Sequence, residues 1–158
     1  MKKMTYAIAA LVALGVSGAA IGASHADPAI AAAVKARKSV MGLYAFNLGK
    51  LGAMAKGEMA YDSAAAKGYA ENLNALATLD QSSMWPAGSD NVSFADTRAL
   101  PAMWENMEGA MKAGMALASA TGALADAAGT DLAALQVAMG PVGAACGACH
   151  KASRAAAN

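Results

Sequence analysis

Two cysteines and a histidine stand together near the end of the chain, as Cys146-Gly147-Ala148-Cys149-His150. Cys-x-x-Cys-His is the spacing by which c-type haem is attached. Each thiol can add across one vinyl group of the porphyrin, making two thioether bonds. The histidine after the second cysteine can then offer an imidazole nitrogen to the iron as proximal ligand. Other two-cysteine chemistries compete. A structural zinc site takes four Cys or His ligands, and Cys146, Cys149, His150 and His25 are the only such residues in the chain. A thioredoxin-like redox pair belongs beside a βαβ pattern, and no strand-like run lies near this one. A disulfide is the plainest alternative, but two cysteines three apart on a helix are poorly placed to bridge.

The elements that must position this motif read as helices. The chain is rich in Ala, Met, Leu and Lys and poor in β-branched and aromatic residues, which favours helix. Ile30, Val34, Met41, Tyr44, Leu48 and Leu51 recur at steps of three and four, with Arg37 in the remaining place of the stripe. One helix from about Pro28 to Lys56 puts them on one face, and Gly57 stops it. A second helix starts at Asp62 or Ser63, either of which can cap it, and runs to about Asp80 with Tyr69, Leu73, Leu76 and Leu79 as its seam. Residues 81–99 carry Pro86, Gly88, Ser89, Asp90 and Asn91 and no period, so they form a long loop. The third helix runs from about Leu100 to Ala125, with Pro101 tolerated in its first turn. Its stripe is Met103, Met107, Ala110, Gly114, Leu117, Thr121 and Leu124. The fourth starts at Thr130 and carries Leu132, Leu135, Met139, Val142, Cys146 and Cys149 in the same rhythm, with Pro141 positioned to kink or restart it. The expected fold is all-α: an antiparallel four-helix bundle. Cys146 and Cys149, three apart, face the bundle together, which places a covalent haem near the C-terminal helix.

Residues 1–26 read as a cleaved signal peptide. Lys2 and Lys3 precede an apolar run from Ala7 to Ala23, and Ser24-His25-Ala26 is a small-x-small cleavage site. Residues 27–158 then form one domain, with no membrane insertion after cleavage. The 12 basic and 11 acidic residues of the full chain nearly balance, and losing Lys2 and Lys3 keeps the mature chain close to neutral. That balance, without a basic patch interleaved with aromatics, argues against nucleic acid as a partner. Export to the periplasm suits the thiols, since c-type haem is attached outside the bacterial cytoplasm.

The mature sequence resembles the cytochrome c′ family over essentially its whole length. The likeness is carried by Arg37-Lys38-Ser39-Val40-Met41, Gly49-Lys50, Lys56-Gly57-Glu58, Tyr61-Asp62, Trp85-Pro86-Ala87-Gly88-Ser89, Thr97-Arg98-Ala99-Leu100-Pro101 with Trp104, and the terminal motif with Arg154. The resemblance implies a single haem c held by Cys146 and Cys149, with His150 as the proximal iron ligand. It further implies a five-coordinate, high-spin iron with an apolar distal side that binds NO and CO, some capacity for electron transfer, and a homodimer. By the same resemblance Arg37 and Lys38 lie near the haem propionates, Thr97 and Arg98 are contacts from the long loop, Met41 sits over the open iron face, and Arg154 stands beside the proximal histidine.

The ligand inventory narrows the mechanism. His150 is the one histidine after residue 26, so two-histidine ligation within a chain is excluded. Met41 is the sharpest sixth-ligand candidate, and its other reading is a packed lid that shields the iron without bonding it. A filled sixth site would make a low-spin His/Met electron carrier with an unidentified periplasmic redox partner; an open one admits gases. A peroxidase-like enzyme would need a distal acid or base, which the chain does not supply as a histidine, so no enzymatic activity is expected. Met103, Met107, Met111 and Met115 invite a copper(I) reading but spread over more than one helix face, as packing residues do. Arg37 on an apolar stripe requires a partner: a haem propionate on one reading, an exposed face on the other.

Overall fold

The computed structural model describes residues 27–157, all of them helix, turn or loop apart from one isolated β-bridge. The signal-peptide reading of residues 1–26, His25 included, lies outside the described residues. Helix α1 spans Pro28–Ala55. The Asp27 carboxylate accepts from the Ala29 amide at 2.8 Å and Pro28 fills the first helical position, where its missing N–H costs nothing. The helix stops at Gly57, whose φ of 76° is the left-handed conformation glycine tolerates. Val34, Arg37, Tyr44 and Leu51 are buried along the expected stripe. The inner line then departs from it by one residue: Val40, Asn47 and Met54 are buried, Leu48 is only partly covered, and Met41 is 41% exposed. Residues 40 and 41 flank the same stripe of a long straight helix, and the core took the β-branched one.

Helix α2 is Ser63–Thr78, with the Asp62 side chain accepting from Ala65 N at 2.7 Å. Leu73 is fully buried, but the helix ends two residues earlier than expected, and Leu79, extended at the cap, is exposed rather than part of the seam. After a 3-10 turn at Ser82–Met84 and a structured loop comes the second correction. The expected third helix is two pieces, a single turn α3 (Ala102–Glu105) and α4 (Met107–Ala127). Asn106 separates them with φ −129°, ψ 64°, and its side chain accepts from Gly109 N at 2.9 Å. A short polar side chain that caps the following turn competes with helix continuation, and Met103 and Met107 therefore lie on different elements.

Helix α5, Leu132–Ser153, is capped by Asp131 rather than Thr130, the carboxylate accepting from Ala134 N at 2.8 Å. It neither stops nor restarts at Pro141, which is exposed within the helix. Its apolarity is enough, by length and composition, for a membrane span (mean hydropathy 1.5). Here it is a bundle helix, with Leu135 and Val142 buried in the shared core and much of its outer face alanine and glycine. The four long helices pack as a ring in which α1 meets α2, α2 meets α4, α4 meets α5 and α5 meets α1. The α1–α5 seam is the sparsest of these and the α4–α5 seam the fullest. At the end remote from the cysteines, Tyr61 donates to Ala128 O at 2.9 Å and Gln136 donates to Ala55 O at 2.7 Å. Small buried residues (Ala66, Ala70, Ala120, Ala128) let the α2 and α4 backbones approach.

Leu135 is fully buried in the first turn of α5. Leu135→Ala should therefore cost about 3 kcal/mol, whereas Asp131→Ala, which removes only a cap, should cost about 1 kcal/mol. Urea unfolding followed by circular dichroism measures both. Equal losses would contradict this division between core and cap.

Candidate haem site

Because α5 runs unbroken to Ser153, Cys146 and Cys149 lie one turn apart on the same side of it, each partly buried and neither in a disulfide. Burial pushes both thiols above their ordinary value, so they are held as neutral S–H. Tyr44 of α1, 6% exposed, is close enough to Cys146 for the ionisation of one to disfavour that of the other. Burial pushes its phenol up, while a hydrogen bond with the Gln81 side chain opposes that shift. Cys146, Tyr44 and the start of the long loop therefore meet at the α1–α5 seam.

His150 is partly buried in the last turn of α5, and its carbonyl accepts from Arg154 N at 3.0 Å. Desolvation lowers the imidazole pKa, and the positive charges of Arg154 and then Arg98 lower it further. All three effects favour the neutral ring, the form with a nitrogen lone pair for a metal. The chain segments carrying the two arginines are joined. Ala99 and Arg154 form an antiparallel bridge, with Leu100 N donating to Ser153 O at 2.9 Å and Ala155 N to Arg98 O at 2.8 Å. Arg98, Arg154 and His150 are thus brought together, as their sequence positions suggested for Arg154 alone.

Arg37 and Thr97 are also brought together. Arg37 is 3% exposed. Its Nη1 donates to Ser89 Oγ at 2.7 Å and to Met84 O at 3.3 Å; its Nη2 donates to Thr97 Oγ1 at 2.8 Å and to Ser89 O. The guanidinium carbon lies 4.7 Å from the centroid of the Trp85 ring and 5.9 Å from that of Trp104. Trp104 Nε1 donates to Trp85 O at 3.1 Å. Lys38 reaches the same loop from outside, pairing with Asp96 at 2.7 Å. Met41, one turn beyond Arg37, is 41% exposed. Ser89, fully buried, and the indole pair are the partners that sequence reasoning missed. Their signal was present, since a buried arginine demands acceptors and residues 81–99 are where polar side chains concentrate.

The residues present suit a covalently held porphyrin. Two neutral thiols one helical turn apart match two vinyl groups, an adjacent neutral imidazole matches the iron, and the sparse α1–α5 seam beside them is bordered by the Tyr44 ring. No group of three or more His, Cys, Asp or Glu side chains able to hold a metal ion gathers among the described residues.

A four-helix bundle with this motif in its last helix is the architecture of a c-type cytochrome of the bundle class. The chain belongs to the cytochrome c′ family, whose profile matches residues 32–154. It is 43% identical to cytochrome c-554 of Cereibacter sphaeroides over 121 residues, covering 77% of this chain and 79% of that protein. Its fold is similar to that of a cytochrome c′ from Rhodobacter sphaeroides, with a TM-score of 0.79 and 39% identity over 81% of this chain and 98% of the other. A cytochrome c′ variant from Alcaligenes xylosoxidans, solved as its nitric oxide complex, is similar at a TM-score of 0.70 and 32% identity, covering 80% of this chain and 97% of that one. The family binds haem c, and Cys146 and Cys149 are consistent with covalent attachment.

Ser89 Oγ accepts from Arg37 and donates to Pro86 O at 2.7 Å. Ser89→Ala leaves a buried cation and a carbonyl each short of a partner, a loss of about 2 kcal/mol. Thermal unfolding of the two proteins side by side measures it; an unchanged midpoint would mean that water replaces the hydroxyl at no cost.

Proposed function

We propose that this protein is a periplasmic c-type cytochrome with one haem per chain, five-coordinate and high-spin, that binds NO and CO and can take part in electron transfer. The observation that carries the reading is the placing of Cys146, Cys149 and His150, its imidazole pushed toward the neutral form, together on the last turns of α5, while the α1 residue that the family resemblance sets over the iron is Met41 and not a nitrogen ligand. When bound, haem supplies an iron that can take a diatomic ligand or an electron. Cys146 and Cys149 would hold the porphyrin through their sulfurs, so that it could not dissociate. His150 would offer an imidazole nitrogen to the iron, its ring held toward the neutral form by burial and then by the charges of Arg154 and Arg98. Neither arginine has a carboxylate within ion-pair distance among the described residues, so both are available to haem propionates. Arg37, Lys38 and Thr97 stand on the opposite border of the same seam.

Met41 acts in this reading as an apolar lid. A thioether offers no hydrogen bond to stabilise bound O₂ or an anion, so uncharged NO and CO are selected by exclusion. The nitric oxide complex of the Alcaligenes xylosoxidans relative supports that ligand class. Nothing in the lid supplies a general acid or base, which supports a carrier or ligand-binding role over catalysis. Two chains can pair through the exposed α1 face, where Leu43 is 51% and Phe46 57% exposed.

The absorption spectrum of the purified holoprotein, oxidised and reduced, with and without CO, tests the reading. The expected result is a broad high-spin Soret band and ready CO binding. Sharp low-spin bands insensitive to CO would show that a methionine closes the site and that the protein is an electron carrier alone. Loss of covalent haem in the Cys146→Ser, Cys149→Ser double variant, read by mass, checks the attachment.

A further inference from the structure

Arg37 is a buried cation with no carboxylate at ion-pair distance among the described residues. Both hydrogens on each terminal nitrogen are directed to acceptors of the long loop, and the planar face lies against indole rings of Trp85 and Trp104. Only the Nε–H remains without a loop partner. A haem propionate could therefore take at most one donor from this side chain, unless the loop were first released. The loop's other margin is fastened just as specifically. Leu100 pairs with Ser153, the last residue of α5, and Arg98 with Ala155 just beyond it, and Asn91 N donates to Ala99 O at 2.7 Å.

The loop is thus anchored to α1 at Met84, Ser89 and Thr97, and to the end of α5 at Arg98–Leu100. Between these anchorages lies the α1–α5 seam, the sparsest of the bundle, with Cys146 and His150 on one side and Met41 on the other. We propose that Arg37 is a positioning residue: it straps residues 84–97 across this seam and so sets the rate at which ligands reach the haem face. The proposal rests on the haem-site reading above. It assigns Arg37 to the loop rather than to the cofactor's charge. Lysine cannot substitute, because a point ammonium has neither the planar fork for four acceptors nor the flat face for two indoles.

The test uses holoprotein in three forms: the natural sequence, Arg37→Lys and Ser89→Ala. Flash photolysis of the CO complex gives the association rate, limited proteolysis read by mass gives loop opening, and redox titration gives the potential. Arg37→Lys should raise cleavage within residues 84–97 by about tenfold, the response of a segment that has lost its local anchor, and speed CO association several-fold. Ser89→Ala should move both readouts the same way by less. A shifted potential with unchanged cleavage and CO rate would overturn the proposal and make Arg37 a propionate ligand. If Arg37→Lys does not accumulate, Ser89→Ala decides: no change in either rate overturns it. Should the natural protein bind no CO, the gas-binding reading fails separately, and unchanged cleavage in the variants would still overturn the strap.

Discussion

A guanidinium buried without a counter-carboxylate is the constraint around which the cysteine-bearing end of this protein is built. Taking such a charge out of water is costly, and burial does push Arg37 below its ordinary pKa, with Asp90 opposing from a distance. An arginine cannot escape by losing its proton, so the chain must surround it with dipoles. It does so with two carbonyls, two hydroxyls and two aromatic faces, all drawn from outside α1. Those groups lie 47 to 67 residues along the sequence from Arg37, and meeting them fixes the course of a loop that has little regular structure of its own.

The second constraint is geometric. Three-residue spacing places Cys146 and Cys149 on one side only if α5 stays helical through the motif. Pro141 threatens that, because it lacks an N–H and crowds the carbonyl four residues back. Its exposed position limits the damage, and Leu135 and Val142 on either side hold the helix to the core. Packing thus overrides a local breaker. In α4 the opposite happened: no deeply buried side chain spans Asn106, so its capping preference prevailed and a turn separated.

Legibility in the sequence followed the same division. Periodic, strongly packed segments gave the helices of the bundle, the buried ends of their stripes and the placement of Cys146, Cys149 and His150. The caps at Asp62 and Asp131 were readable to within a residue because capping is local chemistry. What escaped was set by tertiary choice between near-equivalent neighbours, such as Val40 over Met41 for the core, or by pairing across long separations. Nothing local announces that Ala99 will bridge to Arg154, or that Ser89 will be fully buried. The requirement that Arg37 find acceptors was legible; which acceptors it found was not.

Val40 taking the core position leaves the Met41 thioether unsecured by the bundle's own packing, and this bears on how the site chooses ligands. A long, unbranched side chain at such a place can be displaced at little cost, unlike a residue interlocked in the core. On the proposed haem reading, His150, pushed toward its neutral form by burial and two arginines, would be the constant proximal side and Met41 the adjustable distal one. On that reading, selectivity would depend less on what Met41 donates, which is nothing, than on how tightly the surrounding chain confines it. That confinement comes from α1 on one side and from the Arg37-anchored loop on the other. On the proposed reading, the buried charge of Arg37 and the access to Met41 are consequently two aspects of one packing arrangement.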